Sequence, residues 1–113
     1  MDHKTKGKIA EDTACKYLEN QGFEIVERNY RSGYGEIDII GLLDNNLLVF
    51  FEVKFRKSDQ FGYPEEFVST SQQEKIIDTA ESYIFGINWS DEIRFDVLSV
   101  DNNYQIFHFE SAF

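Results

Sequence analysis

A chain of 113 residues with 42% hydrophobic and 16% aromatic content is the size of one compact domain with one ordinary core. Its net charge of −10 argues against a generic nucleic-acid binder, because nonspecific affinity comes from Lys and Arg neutralising phosphates. The charge is uneven: residues 1–57 carry nine Lys/Arg against ten Asp/Glu, and residues 58–113 carry two against eleven, so a phosphate-facing surface must lie in the first half. Cys15 is the single cysteine, cannot make an internal disulfide, and reads as a packing residue in a reducing compartment. The charged start, MDHKTKGK, has no apolar run behind it. The runs LLVFF and IIGLL are far shorter than the roughly 20 residues that a spanning helix needs. Pro64 is the only proline, and no Gly/Ser-rich linker or internal repeat occurs. Residues 1–113 are therefore expected to form a single cytoplasmic domain without a membrane partner.

In chain order, KGKIAEDTACKYLENQG places Ile9, Ala10, Thr13, Ala14, Tyr17 and Leu18 at helical spacing, with Gly22 as the stop. FEIVERNY alternates apolar and polar residues and predicts a strand, with an irregularity that the pattern alone does not place. GEIDIIGLL and LLVFFEVKF read as two strands around Asp44-Asn45-Asn46, residue types that tolerate the positive φ of a tight hairpin. SDQFGYPEEF reads as a loop from its Gly62 and Pro64. STSQQEKIIDTAESYIF carries Ile76, Ile77, Ala80, Tyr83 and Ile84 on one face behind candidate caps at Ser69 to Ser71. IRFDVLSV and YQIFHFE flank Asp101-Asn102-Asn103 as a second hairpin. The order α-β-β-β-α-β-β predicts an α/β fold, a mixed sheet with one helix on each face or both on one.

The first hairpin holds charges where apolar residues are expected. Side chains alternate along a strand, so Glu36, Asp38 and Ile40 should share one face, as should Phe50, Glu52, Lys54 and Arg56 on the next strand. If Leu43 and Leu47 close a three-residue loop, Asp38 lies opposite Glu52 and Glu36 opposite Lys54, with opposed Cβ atoms about 4.5–5.5 Å apart. Like charges so placed destabilise a sheet unless a cation sits between them. Two converging carboxylates suit Mg²⁺ or Mn²⁺, which take oxygen ligands, waters and substrate phosphates. Lys54, one pleat away, can orient or deprotonate a water and offset developing charge. These parts describe metal-assisted hydrolysis of a phosphodiester. Glu11 borders the apolar face of the first helix and can reach inward, whereas Asp12 points outward.

KGKIAE, ERNYR, GEIDII, VFFEVKFR, the FG and Pro64 of the following loop, RFDVLSV and the terminal AF together resemble the YraN-like family of uncharacterised bacterial proteins, over nearly the whole chain. That family is similar to the PD-(D/E)xK nuclease superfamily, in particular archaeal Holliday-junction resolvases. The resemblance implies a restriction-endonuclease-like fold and an endonuclease acting on DNA, branched DNA included, in preference to RNA. It makes Asp38 the first acid of the motif, Glu52 and Lys54 its ExK pair, and Glu11 the acid of the first helix. The implied catalytic set is Glu11, Asp38, Glu52 and Lys54, with Asp38, Glu52 and Glu11 as ligands to Mg²⁺ or Mn²⁺. Two positions differ from the family pattern: Ala10 stands where Gly commonly precedes the helix Glu, and Gln72 where a basic residue opens the second helix.

Arg28, Arg31, Arg56 and Lys57 are candidates for a phosphate track, each also readable as a surface charge. Tyr30, Tyr34, Phe61 and Tyr63 flank the hairpin and could stack on unpaired bases or pack in the protein. Glu36 is expected as the ion partner of Lys54, and His3 and His108 as structural. Three functions stay open: a metal-dependent nuclease, a nucleic-acid-binding module of the same fold with little activity, and a protein-interaction domain. The oligomeric state also stays open; cutting two strands needs two sites, which makes a homodimer one hypothesis.

Overall fold

The computed structural model describes residues 3–33, 35–56 and 68–113, so the SDQFGYPEEF loop, Tyr34, Phe61, Tyr63 and Lys57 lie outside the described residues. The elements are α1 (His3–Asn20), β1 (Glu24–Ser32), β2 (Gly35–Leu43), β3 (Leu47–Phe55), α2 (Thr70–Ile87), β4 (Glu92–Val100) and β5 (Ile106–Phe109), in the expected order. One sheet contains all five strands in the order β1-β2-β3-β4-β5. Among the described strands only β3 and β4 run parallel, joined by the crossover through α2 that a parallel pair needs.

The helices cover opposite faces. Ala14, Cys15 and Leu18 of α1 pack with Phe23, Ile39, Val49, Phe51 and Leu98. Ile76 and Ala80 of α2 pack with Ile37, Ile40, Leu48, Phe50 and Val97 on the other face. This double cover explains the unbroken apolar run LLVFF in β3, a central strand buried on both sides. Cys15 is part of the first cluster, and burial pushes its thiol pKa up, in keeping with packing and against a reactive thiolate.

Local signals set the boundaries. Asp44 (φ 55°) and Asn45 (φ 62°) both take the left-handed conformation in the first hairpin, whose ladder closes at Leu43 opposite Leu47. The Ser69 hydroxyl caps α2 by accepting from the Gln72 amide, and Asn88 ends the helix at φ 55°. The Asp101 carboxylate accepts from the amides of Asn103 and Gln105 and so shapes the second turn. The irregularity in β1 is a register shift between Ile25 and Glu27, with Val26 the extra residue.

Among the described residues Asp96 is the most buried charge, with no exposed surface. Arg94, two residues earlier on the same face, donates to both its oxygens at 2.8 Å, His108 Nε2 lies at 2.7 Å, and the Ser111 amide donates at 3.0 Å. Burial alone would raise the Asp96 pKa, but these donors hold it below the ordinary carboxylate value. An ionised carboxylate only accepts, so His108 Nε2 carries the proton; in the neutral ring Nδ1 is then free to accept from the Tyr17 hydroxyl at 3.0 Å. The network ties α1 to β4 and β5, and His108 is structural, as expected.

Gly35 decides how closely β2 approaches α2. A Cβ there would overlap Thr79 Oγ1 and come within 2.9 Å of the Lys75 carbonyl oxygen. Gly35→Ala is therefore expected to lower stability by about 1–3 kcal/mol, since relief requires the helix backbone to move. An unchanged denaturation midpoint would show that α2 is not seated on this contact.

Candidate functional site

β2 and β3 separate beyond Ile39 and Phe51. Their ladder follows the expected register from Leu43–Leu47 to Ile39–Phe51 and ends there, while β3 continues beside β4 as far as Phe55–Val100. The expected continuation, Asp38 opposite Glu52 and Glu36 opposite Lys54, does not form. The Val53 amide instead donates to Asp38 Oδ2 at 2.8 Å, so a side chain takes the place of the next rung. Splaying lets two repelling carboxylates share a pocket without standing on one rung.

The same point breaks the alternation of faces. Ile37 packs in the α2 cluster and Ile39 in the α1 cluster, although they are two residues apart. Opposite this break, Asn29 of β1 has φ 54°, a left-handed residue inside a strand. Arg28 meets α1, and Tyr30, which strict alternation would put on the same face, packs edge-on against Tyr83 of α2 at 5.1 Å. Tyr30 is thus a packing residue, and Asp38 stands at the twist between two cores.

Asp38, Glu52 and Glu36 line a pocket of about 430 Å³ together with Gly35, Gln72 and Lys75. Burial first, and then the Glu52 charge, push the Asp38 pKa from 3.8 up to about 7, against the lowering effect of the Val53 amide. Glu11 and Glu36 push it further in the same direction. Glu52 is also raised, chiefly by burial, with Lys54 opposing. Lys54 Nζ lies 3.4 Å from Glu52 Oε1, so Glu52, not Glu36, is its ion partner. Glu36 pairs across the hairpin with Arg31 at 3.5 Å, because these two face each other in the β1–β2 register.

Gln72 sits between the ExK side chains: its Nε2 donates to Glu52 Oε1 at 3.3 Å and its Oε1 accepts from Lys54 Nζ at 3.5 Å. Lys75, one turn after Gln72 on α2, is a basic residue that lines the pocket. The i, i+3 spacing of Gln72 and Lys75 was the available signal.

Glu11 does reach inward: it accepts from Arg28 at 3.2 Å and from Asn29 Nδ2 at 2.9 Å. Asp12 is less detached than expected, since Arg28 also donates to it at 2.8 Å. Arg28 is therefore held by two carboxylates, whereas the Arg31 side chain is 77% exposed. Arg56 follows β3, its amide donating to the Val100 carbonyl at 2.8 Å. Glu11, Arg28 and Arg31 line a second groove, between α1 and β1. Among the described residues, no three His, Cys, Asp or Glu side chains gather closely enough to enclose a metal unaided.

Fold and site together define an α/β domain with a carboxylate pocket at the point where two central strands part. The chain belongs to the uncharacterised protein family UPF0102, whose model matches residues 10–100. It is 49% identical over 100 residues to a UPF0102 protein of Cytophaga hutchinsonii, covering 88% of each chain. It is 46% identical over 114 residues to one of a Sulfurihydrogenibium species, covering 100% of this chain and 97% of the relative. Among solved structures, Pyrococcus furiosus SfsA in complex with Ca²⁺ matches with a TM-score of 0.37 and 16% identity, over 96% of this chain and 64% of that one, a likeness too slight to build on. No helix among the described residues is long and apolar enough to cross a membrane.

Proposed function

We propose that the chain is a metal-dependent endonuclease that hydrolyses phosphodiesters of DNA, with Asp38 and Glu52 holding Mg²⁺ or Mn²⁺. One observation carries this reading: two largely buried carboxylates share a pocket, and each has its pKa raised by burial. The charged groups that raise Asp38 are Glu52, Glu11 and Glu36, all carboxylates. A site that gathers negative charge at the expense of stability fits a ligand that repays it with positive charge. Two protein carboxylates, completed by waters and a substrate phosphate, are a sufficient donor set for a hard divalent ion. Such an ion, when bound, supplies Lewis-acid activation of water and neutralisation of phosphate charge.

The chain's own groups have separate tasks. Lys54 orients the attacking water and offsets charge on the phosphate as the bond breaks. Gln72 fixes the Glu52 carboxylate and the Lys54 ammonium relative to each other through its two hydrogen bonds. Glu11 holds Arg28 and Asn29 at the rim and adds negative charge behind Asp38. Lys75 meets a phosphate entering from the α2 side.

The second reading, a nucleic-acid-binding module with little activity, is favoured by Gln72, which already occupies Glu52 in this arrangement. Labelled junction, flap, single-stranded and duplex DNAs incubated with Mn²⁺ separate the two. Cleavage of any of them that EDTA abolishes is the expected result. Binding without cleavage across the panel would overturn the nuclease in favour of the module.

A further inference from the structure

The groove between α1 and β1 shares Glu11, Arg28 and Asn29 with the rim of the carboxylate pocket, but its other cations have no part in the chemistry just described. It encloses about 750 Å³ and is lined by Lys4, Lys8 and Glu11 from α1 and by Arg28 and Arg31 from β1. Four cations line it against one carboxylate, and even with Asp12 on Arg28 and Glu36 on Arg31 counted from outside the lining, positive charge stays in excess in a chain whose net charge is −10. Lys4 and Lys8 are one helical turn apart and face the same side. The groove lies at the same end of the sheet as the carboxylate pocket, because Arg31 pairs with Glu36 and Arg28 with Ile39, on either side of Asp38. Glu11 belongs to both neighbourhoods: it lines the groove, and its charge acts on Asp38.

We infer that this groove is a backbone-binding subsite, in which Lys4, Lys8 and Arg31 hold phosphates of one nucleic-acid strand that continues around the sheet end toward Asp38 and Glu52. The inference rests on the nuclease reading for the direction of the strand, and adds a site on residues that reading does not use. Arg28, bonded to Glu11 and Asp12, stiffens the wall and leaves contact with the phosphates mainly to the other three. None of the described residues lining the groove is aromatic, so it offers charge to phosphates and no ring for bases to stack on. Binding there is accordingly independent of sequence.

The test is fluorescence anisotropy in EDTA with two labelled single-stranded DNAs of unrelated sequence, comparing the parent, Lys4→Gln/Lys8→Gln, and Lys16→Gln as a control on α1 outside the groove. The double variant is expected to bind both DNAs about tenfold more weakly, with a salt slope shallower by about 1.4, the release expected for two phosphate contacts on a single strand. Lys16→Gln should match the parent. Failure of the parent to bind, a double variant with the parent's slope, or an equal loss in Lys16→Gln would each overturn the groove. A strong preference for one sequence would do so as well. Cleavage in Mn²⁺ is read separately: binding lost in the double variant without cutting by the parent keeps the groove and removes the nuclease. Cutting by the parent with an unchanged slope does the reverse.

Discussion

Asp38→Asn is expected to be more stable than the parent at alkaline pH in EDTA, and no more stable at about pH 4. The sign follows from the direction of the shift. A carboxyl whose pKa is raised on folding, here from 3.8 to about 7, carries no penalty while it is protonated in both states. As pH rises from about 4 to 7 the unfolded chain ionises first, and the folded state loses stability up to a limit of roughly 4 kcal/mol. Glu52, raised in the same direction, adds to the loss as pH rises above its ordinary value. Asparagine removes the charge but keeps an oxygen that can accept from the Val53 amide, so the strand end need not rearrange. A gain of about 2–4 kcal/mol at pH 8, measured by denaturant unfolding, is the expected result. Adding Mn²⁺ should narrow the gap and, at about a thousandfold excess over Kd, where the gain reaches about 4.1 kcal/mol, reverse the order. An ion that binds only the folded parent stabilises it by about 2.7 kcal/mol at a hundredfold excess over Kd, while the variant, lacking one ligand, responds little. Loss of stability at both pH values with no response of the parent to Mn²⁺ would make Asp38 a structural carboxylate and end the metal reading.

Lys54→Met is expected to cut at least ~100-fold more slowly than the parent, a loss of about 2.7 kcal/mol of transition-state stabilisation, with metal binding retained. Its ammonium lies 3.4 Å from Glu52 Oε1 with the side chain 26% exposed, close to the carboxylates yet open to a bound substrate. Part of any loss could come through Glu52, because the Lys54 charge lowers the Glu52 pKa and its removal lets that pKa rise. The pH–rate profile separates these contributions. An indirect role moves the acid limb to higher pH and is rescued on the alkaline side; a direct role leaves the deficit at every pH. Full recovery at high pH would reduce Lys54 to a tuning partner of Glu52.

The site was legible in residue types and in register, and less so in direction. The three-residue turn and its pairing could be derived because Asp44 and Asn45 tolerate positive φ and the strands on either side are apolar. The convergence of Asp38 and Glu52 followed from that register. Strict alternation placed Glu36 with Asp38, and the two do share the pocket, but it also paired Glu36 with Lys54, which failed because the strands part at Asp38. The cause lies on a third strand, in the left-handed Asn29, and in an amide on β3 that prefers a carboxylate to the next rung. Neither can be read from the hairpin's own pattern.

The sequence by itself determined the element order, the central position of β3 and the identity of the charged residues that must share the hairpin, because periodicity, turn chemistry and capping are local properties of the chain. Only the tertiary structure decided that the helices lie on opposite faces, that Gln72 bridges Glu52 and Lys54, and that Lys4 and Lys8 join Arg28 and Arg31 around one groove. Those juxtapositions join residues far apart in the chain, and they are set by how apolar faces pack, to which the charged groups themselves contribute little.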